Sequence, residues 1–481
     1  MNAPTVLTSV IGGRQVPGHE EVVDRNPARP SEAVALVQQA DAEIAGAAVA
    51  AAAEAAVSWR KTPAPDRGAI LRRAADILES QAAGVGRDLA REEGKTVAEG
   101  ISETNRAAAI LRYYAGQTLE PDGETYPSHS TKTFLFARRE AVGVVCIITP
   151  WNFPIAIPAW KIAPALAFGN TVCWKPGEIV PLTATHLATA LAEAGLPPGV
   201  LNLVLGRGSV VGPALLEAPE VAAVSFTGSN SVGRGIQQTG IAYGAKVQLE
   251  LGGKNPAVVL ADADLDLAAE EIARGAFLSA GQKCTATSRV IVEAKIASEL
   301  TERLATIANS WTLGDPLDPA TQVGPLASED QLRTVGEYLR VAEGDGGTFV
   351  AGGARADELG EGYYIKPTVI TGLPASSRVL REEIFGPVAA IVEVEDFEAA
   401  IATANDTPFG LVAALFTSNL KRAFQFAEEA RAGVVKVNQE SAGLEFHVPF
   451  GGMKESSSGS REQGKVAKDF FTEWKTVYLN S

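Results

Sequence analysis

The chain has 481 residues, 46% of them hydrophobic and 21% charged, with a net charge of −15. That is too long for one ordinary domain, has the balance of a soluble folded protein, and argues against nucleic acid as the main partner. Three scattered cysteines, four histidines with no close pair or HExxH, and no GxSxG elbow disfavour disulfides, metal hydrolysis and α/β-hydrolase chemistry, and point to a reducing cytoplasm.

The N-terminal MNAPTVLTSVIGGRQVPG has no basic stretch followed by a long apolar one, so no signal peptide is expected. Alanine-rich Asp41–Trp59 reads as a helix, ended by Pro63 and Pro65, with Asp66 placed to cap the next one, RGAILRRAADILESQ. A third helix is expected over about Val97–Tyr114, and a strand or hairpin over Gly123–Arg139.

Ala141–Trp160 runs for twenty residues without a charge. Its length suits a membrane span, but Pro150, Pro154 and Pro158 would break a helix, so a buried strand entering an irregular loop is expected, and no membrane. In that loop TPWNFP offers Asn152, either a rigid amide donor for an oxyanion hole or a turn-forming asparagine.

VGVVCIIT, NTVCWKP, VLNLVLG, VAAVSFTG and VQLELGG then read as strands, with helices around Leu182–Ala194, Val210–Glu217 and Val232–Tyr243. This alternation predicts a parallel α/β sheet of the dinucleotide-binding type. Past the second strand, KPGE carries Lys175 and Glu178, which could grip two ribose hydroxyls or lie in a solvated loop. GRGSVVG (206–212) lacks GxGxxG spacing and reads as an ordinary turn. FTGSNSVGR is the better phosphate cradle: Gly228 lets an anion approach the backbone, and Ser229 with the free amides of a helix start can donate to it. LELGGK sets Glu250 in an apolar strand, either as a buried carboxylate raised toward general-base range or pointing to solvent.

SAGQKCTATSR holds Cys284. Cys146 and Cys173 lie in apolar strands, as inert core cysteines do; Cys284 instead follows Gly281 and Lys283, which favour an unusual backbone and a thiolate, and precedes TATS, which reads as a helix start or tight loop. A nucleophile and a plain structural cysteine both remain open on these residues alone. PAVVLAD, SRVIVEA, AAIVEVED and GVVKVN predict a second α/β domain, and SSSGS near Ser456 a short loop.

In order, PWNFP, KPGE, FTGS, ELGGK, GQKC, EEIFGPV and the closing PFGGMKESSSGSREQG resemble the NAD(P)-dependent aldehyde dehydrogenase superfamily across nearly the whole chain. The resemblance implies an α/β fold: a Rossmann-like cofactor domain (1–122 and 141–252), an α/β catalytic domain (253–451) and a small β oligomerisation extension (123–140 and 465–481). It also implies NAD or NADP as cofactor, no metal, and a homodimer or homotetramer. Cys284 would be the nucleophile, Glu250 the general base, and Asn152 with the Cys284 N–H the oxyanion hole. Thr149, Trp151, Lys175, Glu178, Gly228, Ser229, Glu383 and Phe385 would bind the cofactor. Glu178 would favour NAD, although Gly177 would leave it room to swing aside for NADP. GQKCTATSR, FPIAIPAWK and KESSSGSREQG are most similar to the branch that oxidises α-ketoglutaric semialdehyde (2,5-dioxopentanoate). Relatives acting on succinic semialdehyde carry an arginine where this chain has Trp160. A carboxylated aldehyde needs a cation, for which Arg106 is the first candidate and Lys283 the second. Two rivals are a non-catalytic relative, which should have lost Cys284, Glu250 or Asn152, and a cofactor-free cysteine hydrolase, which would leave Lys175, Ser229 and Glu383 without a task.

Overall fold

The computed structural model describes residues 4–481, and among them the strands form four sheets. The apolar runs Val144–Ile148, Thr171–Lys175, Leu201–Leu203, Val221–Thr227 and Lys246–Glu250 pair in parallel. Taken in chain order they stand 3-2-1-4-5 across the sheet, so the direction of winding reverses between Val144–Ile148 and Val221–Thr227. A crevice opens at such a reversal, beyond the carboxyl ends of the strands.

Helices cover both faces, which is why these strands are continuously apolar rather than alternating. On one face α1 (Ala42–Trp59) lays Ala45, Ala48, Val49 and Ala52 against Val144, Cys146 and Cys173. This helix is long and apolar enough to cross a membrane, but its small side chains are what allow it to lie close on the sheet. On the other face, α2 (Ala64–Ser80), α3 (Ala82–Glu93) and α4 (Val97–Gln117) pack with α5 (Ala156–Ala167) and α6 (Pro181–Glu193) over Val145, Ile147 and Trp174. Two more helices, α7 (Gly208–Leu216) and α8 (Asn230–Ala242), complete the crossovers.

The second large sheet has seven strands, six of them parallel, with Asn255–Val259 and Thr287–Glu293 near its centre. A small antiparallel sheet joins Gly123–Tyr126 and Thr133–Ala141 to the C-terminal Thr472–Asn480, in register from Thr472 opposite Ala141 to Asn480 opposite Thr133. The α/β fold class expected from sequence is the one observed.

Several local expectations need correction. The chargeless segment does not end in an irregular loop: α5 begins at Ala156, and Pro158 is tolerated because first-turn amides have no helical partner. Asp66 does not cap α2; the helix starts at Ala64 after Pro63, and Asp66 sits inside its first turn. Part of SSSGS is an edge strand, Ser457–Ser458, paired with Leu249 and Glu250. The sequence reading also assigned nothing to the N-terminal meander of Thr5–Leu7, Glu20–Asn26 and Arg29–Gln39, whose first two strands are short or strongly polar.

That meander is tied down by two buried acids. Glu92 accepts from the amides of Leu182 and Thr183 at the start of α6, the latter at 2.8 Å, while Asp24 faces it and is pushed up to about 10 by burial and by Glu92. Asp24 therefore carries a proton in the folded protein that it has lost above about pH 4 when unfolded, so stability falls as pH rises through neutral. In Asp24→Asn the amide replaces the acid proton, and the thermal midpoint is expected to fall less between pH 6 and 9 than in the wild type; equal slopes would reject the shared proton.

Candidate active site

Two cavities, of about 220 and 730 Å³, both reach Pro150, Trp151, Thr227, Gly228 and Ser229. They form one trough across the crevice at the winding reversal.

At its outer end Lys175 and Glu178 leave the second parallel strand together. Lys175 Nζ is 3.4 Å from Glu178 Oε1, and burial lowers its pKa. The same Glu178 oxygen accepts from the Gly208 amide at 2.7 Å. GRGSVVG is therefore not an ordinary turn: its Gly208 opens α7 and pins Glu178. Gly177 has a further use: a Cβ there would lie 2.9 Å from the Trp151 nitrogen, so the glycine admits the Trp151 loop.

Midway, Gly228 ends its strand and Ser229 caps α8, accepting from Val232 N at 3.5 Å. The free first-turn amides of α8 give this stretch the donors and positive dipole end that suit a phosphate. Thr149 is buried and accepts from Trp174 Nε1 at 2.9 Å, fixing the start of the loop that carries Trp151. Trp151 meets Phe385 edge-on, with ring centroids 5.4 Å apart. Phe385 has φ +58°, and Gln331 Nε2 holds its carbonyl at 2.8 Å. Glu383 Oε1 accepts from Gly253 N at 2.8 Å; desolvation pushes its carboxyl up to about 7, against the pull of that amide and of Lys254. Hydroxyl-binding groups, a helix start and a second carboxylate thus follow in the order ribose, diphosphate, ribose, and the trough fits a dinucleotide.

At the inner end stands Cys284, half-buried, on a turn that no all-standard backbone could make. Ser279, Ala280 and Gly281 have φ of +54°, +50° and +68°, and a Cβ on Gly281 would meet the Gly386 carbonyl at 2.2 Å. TATS forms a tight turn into the strand Thr287–Glu293 and starts no helix. Asn255 Nδ2 holds the carbonyls of Cys284 and Ala286 at 2.8 and 2.9 Å. Burial, then Glu383, Glu250 and Glu462, push the thiol well above its ordinary range, while its own amide lowers it. These surroundings favour the thiol over the thiolate. Lys283 does not make it a thiolate: its ammonium turns away to the Arg274 carbonyl at 3.1 Å.

Asn152 lines the same cavity and is buried. Its Nδ2 donates one hydrogen to the Gln282 carbonyl at 3.0 Å, leaving the second free. Glu250 is 2% exposed, so it points inward rather than to solvent. Burial and Glu462 hold its pKa well above the carboxylate range, against Ser457, Lys161 and Arg461. Ser457 donates to Oε2 at 2.6 Å, and Oε1 has no hydrogen-bond partner among the described residues. A thiol, an amide with a free hydrogen and a basic buried carboxylate can together support acyl transfer.

On the side of Cys284 away from the trough, Phe450 clusters with Leu411, Leu444 and the cysteine, and Trp160 packs at 6.4 Å from Phe450. Beside Leu444, Glu445 lies near Arg106 of α4; burial lowers the Arg106 pKa and Glu445 raises it. No ion pair or hydrogen bond joins Arg106 to any described residue.

Sequence reasoning missed Lys161, buried in α5 and paired with Glu462 at 2.6 Å behind Glu250, although a lone lysine after a chargeless run was a usable signal. Asn255, Gln331 and Ser457 gave none, since each acts through a partner far away in the chain.

Residues 16–477 match the profile of the aldehyde dehydrogenase family. The chain is 47% identical to an α-ketoglutaric semialdehyde dehydrogenase of Bacillus subtilis over 94% of this chain and 93% of that one. It is 45% identical to an α-ketoglutarate semialdehyde dehydrogenase of Haloferax volcanii over 94% of each. Among solved structures, betaine aldehyde dehydrogenase of Staphylococcus aureus in complex with NAD+ superposes with a TM-score of 0.95 at 34% identity, covering 98% of this chain and 95% of that one.

Proposed function

We propose a substrate and residue roles from one premise: this chain belongs to the aldehyde dehydrogenase family and is an NAD(P)-dependent enzyme that oxidises an aldehyde. The reaction we infer converts α-ketoglutaric semialdehyde, water and NAD(P)+ to 2-oxoglutarate, NAD(P)H and protons. The relatives named for that aldehyde carry the proposal, and Arg106, a partly exposed guanidinium of α4 with no hydrogen bond or ion pair among the described residues, is the candidate receptor for the distal carboxylate. Lys283 is the weaker candidate, because its ammonium is already committed to Arg274.

Cys284 Sγ attacks the aldehyde carbon as its proton passes to water, because burial and the nearby carboxylates favour the thiol over the thiolate. The alkoxide of the resulting thiohemiacetal accepts from the free Asn152 hydrogen and the Cys284 amide, donors already held in place. A nicotinamide cofactor held in the trough would supply the hydride acceptor that turns the thiohemiacetal of Cys284 into a thioester. Glu250 then takes a proton from water through its unpartnered Oε1; the water oxygen adds to the thioester, the C–S bond breaks and the acid leaves. Lys175 and Glu178 would hold one ribose, Gly228 and Ser229 the diphosphate, and Glu383 the second ribose, with Thr149, Trp151 and Phe385 shaping the walls. Because Gly208 fixes the Glu178 carboxylate, NAD is the better fit.

An aldehyde panel followed by reduced-nicotinamide absorbance tests the substrate. The five-carbon oxo-acid semialdehyde should give the highest kcat/KM, ahead of succinic and glutaric semialdehydes and of neutral aldehydes. Arg106→Ala should raise its KM by about 10- to 100-fold, the loss of one charged hydrogen-bonding group, and that of a neutral aldehyde by less than about threefold. Equal effects on both would remove Arg106 as the receptor. The C-terminal and hairpin strands are the surface through which we expect a dimer or tetramer to form, in the cytoplasm.

A further inference from the structure

We propose that Lys95 and Glu99, neither of which touches a reacting atom, are positioning residues that set the Asn152 amide against the Cys284 sulfur. The proposal rests on the roles just given to those two residues. Thr96 caps α4 in a reciprocal box with Glu99, and the polar groups around this cap reach two loops that are remote in the chain.

The first is the Asn152 loop. Lys95 Nζ, buried, donates to Glu103 Oε2 at 2.7 Å and to the backbone carbonyl of Asn152, and stands 3.7 Å from the centre of the Phe153 ring. Glu103 Oε1 in turn accepts from the amides of Ile155 and Ala156 at 3.0 and 3.1 Å. Backbone on the asparagine and just beyond it is thus gripped by one ion pair.

The second is the turn before Cys284. Glu99 Oε1 accepts from both the amide and the hydroxyl of Ser279 at 2.9 Å, while Oε2 closes the cap. Ser279 and Ala280 are the two non-glycine residues held in the left-handed region there, a conformation that L side chains disfavour unless surrounding bonds impose it. The loops then meet directly, Asn152 Nδ2 on the Gln282 carbonyl. Apolar packing could fill this space at less cost than a buried ammonium among carboxylates; what the charges add is a fixed distance between donor and nucleophile.

Lys95→Met tests this, beside the double variant Lys95→Met/Glu103→Gln, which also removes the stranded charge. In Lys95→Met we expect kcat to fall about 10- to 100-fold, as small misplacements of a reacting group do. KM, NAD+ affinity and the rate of Cys284 alkylation by iodoacetamide, which needs no oxyanion hole, should stay within about threefold. The double variant should recover the thermal midpoint but not kcat, and Lys95→Arg, which keeps a donor, should retain more activity than Lys95→Met. Glu99→Ala should slow alkylation and turnover together by about tenfold, because it frees the cysteine turn. Recovery of kcat along with stability in the double variant, or alkylation and cofactor binding falling in step with kcat in Lys95→Met, would overturn the role of Lys95; an unchanged Glu99→Ala would overturn that of Glu99. Asn152→Ala and Cys284→Ala are measured in parallel, since wild-type turnover in either would instead overturn the roles on which the proposal stands.

Discussion

Cys284→Ala is expected to lower aldehyde oxidation by roughly four to six orders of magnitude while leaving NAD+ affinity within about twofold. The size follows from the route: without sulfur there is no thiohemiacetal, and the amide of Asn152 has no alkoxide to stabilise. The selectivity follows from the geometry, since the groups proposed to bind the dinucleotide stand on other elements, with Lys175 ending a strand of the first sheet and Glu178 and Ser229 in the loops beyond its strands. The same variant separates the rivals. A binding protein on this scaffold would be unchanged in ligand affinity and would have no turnover to lose, and a cysteine hydrolase would lose ester cleavage in a reaction indifferent to NAD+. Turnover in Cys284→Ala within tenfold of the wild type would reject the cysteine as nucleophile.

Glu250→Gln is expected to lower kcat by about 10²- to 10⁴-fold, the range for loss of a general base, and to change the time course as well as the rate. If the carboxylate acts mainly on water, the variant still forms the thioester, so one equivalent of reduced nicotinamide per site appears quickly before slow turnover. Loss of the fast phase too would mean that Glu250 also removes the thiol proton. In the wild type the sign of the pH dependence is set by the raised Glu250 pKa: the base is protonated below it, so kcat rises with pH as the carboxyl loses its proton. Glu383 is pushed up to about 7 as well, so the diagnostic is the part of the profile that disappears in Glu250→Gln.

The features legible in the sequence were those whose cause is local. Residues 144–147 and Thr171–Lys175 are buried, and a strand covered on both faces is mainly apolar rather than alternating. Cys284 stood out because polar neighbours surround it, and Glu250 because a carboxylate sits among leucines. Lys283 misled because adjacency along a chain says nothing about where a long side chain points. Lys95, Glu99 and Glu103 were invisible for a related reason. Each looks like an ordinary charge near a helix start, and the contacts that reach the two loops span 52 to 180 residues of chain. Gly208 was dismissed on spacing, yet it acts through an amide on Glu178, a contact that no glycine pattern encodes.

That contact has a bearing on how the enzyme tells its two possible cofactors apart. A carboxylate at the ribose repels a phosphate, but a mobile one can rotate out of the way at little cost. Here the Gly208 amide and the Lys175 ammonium share one oxygen of Glu178. Moving the glutamate means breaking a hydrogen bond at the first turn of α7. In the role proposed for Glu178, discrimination would rest on stiffness as well as on charge, and part of that stiffness comes from a residue with no side chain.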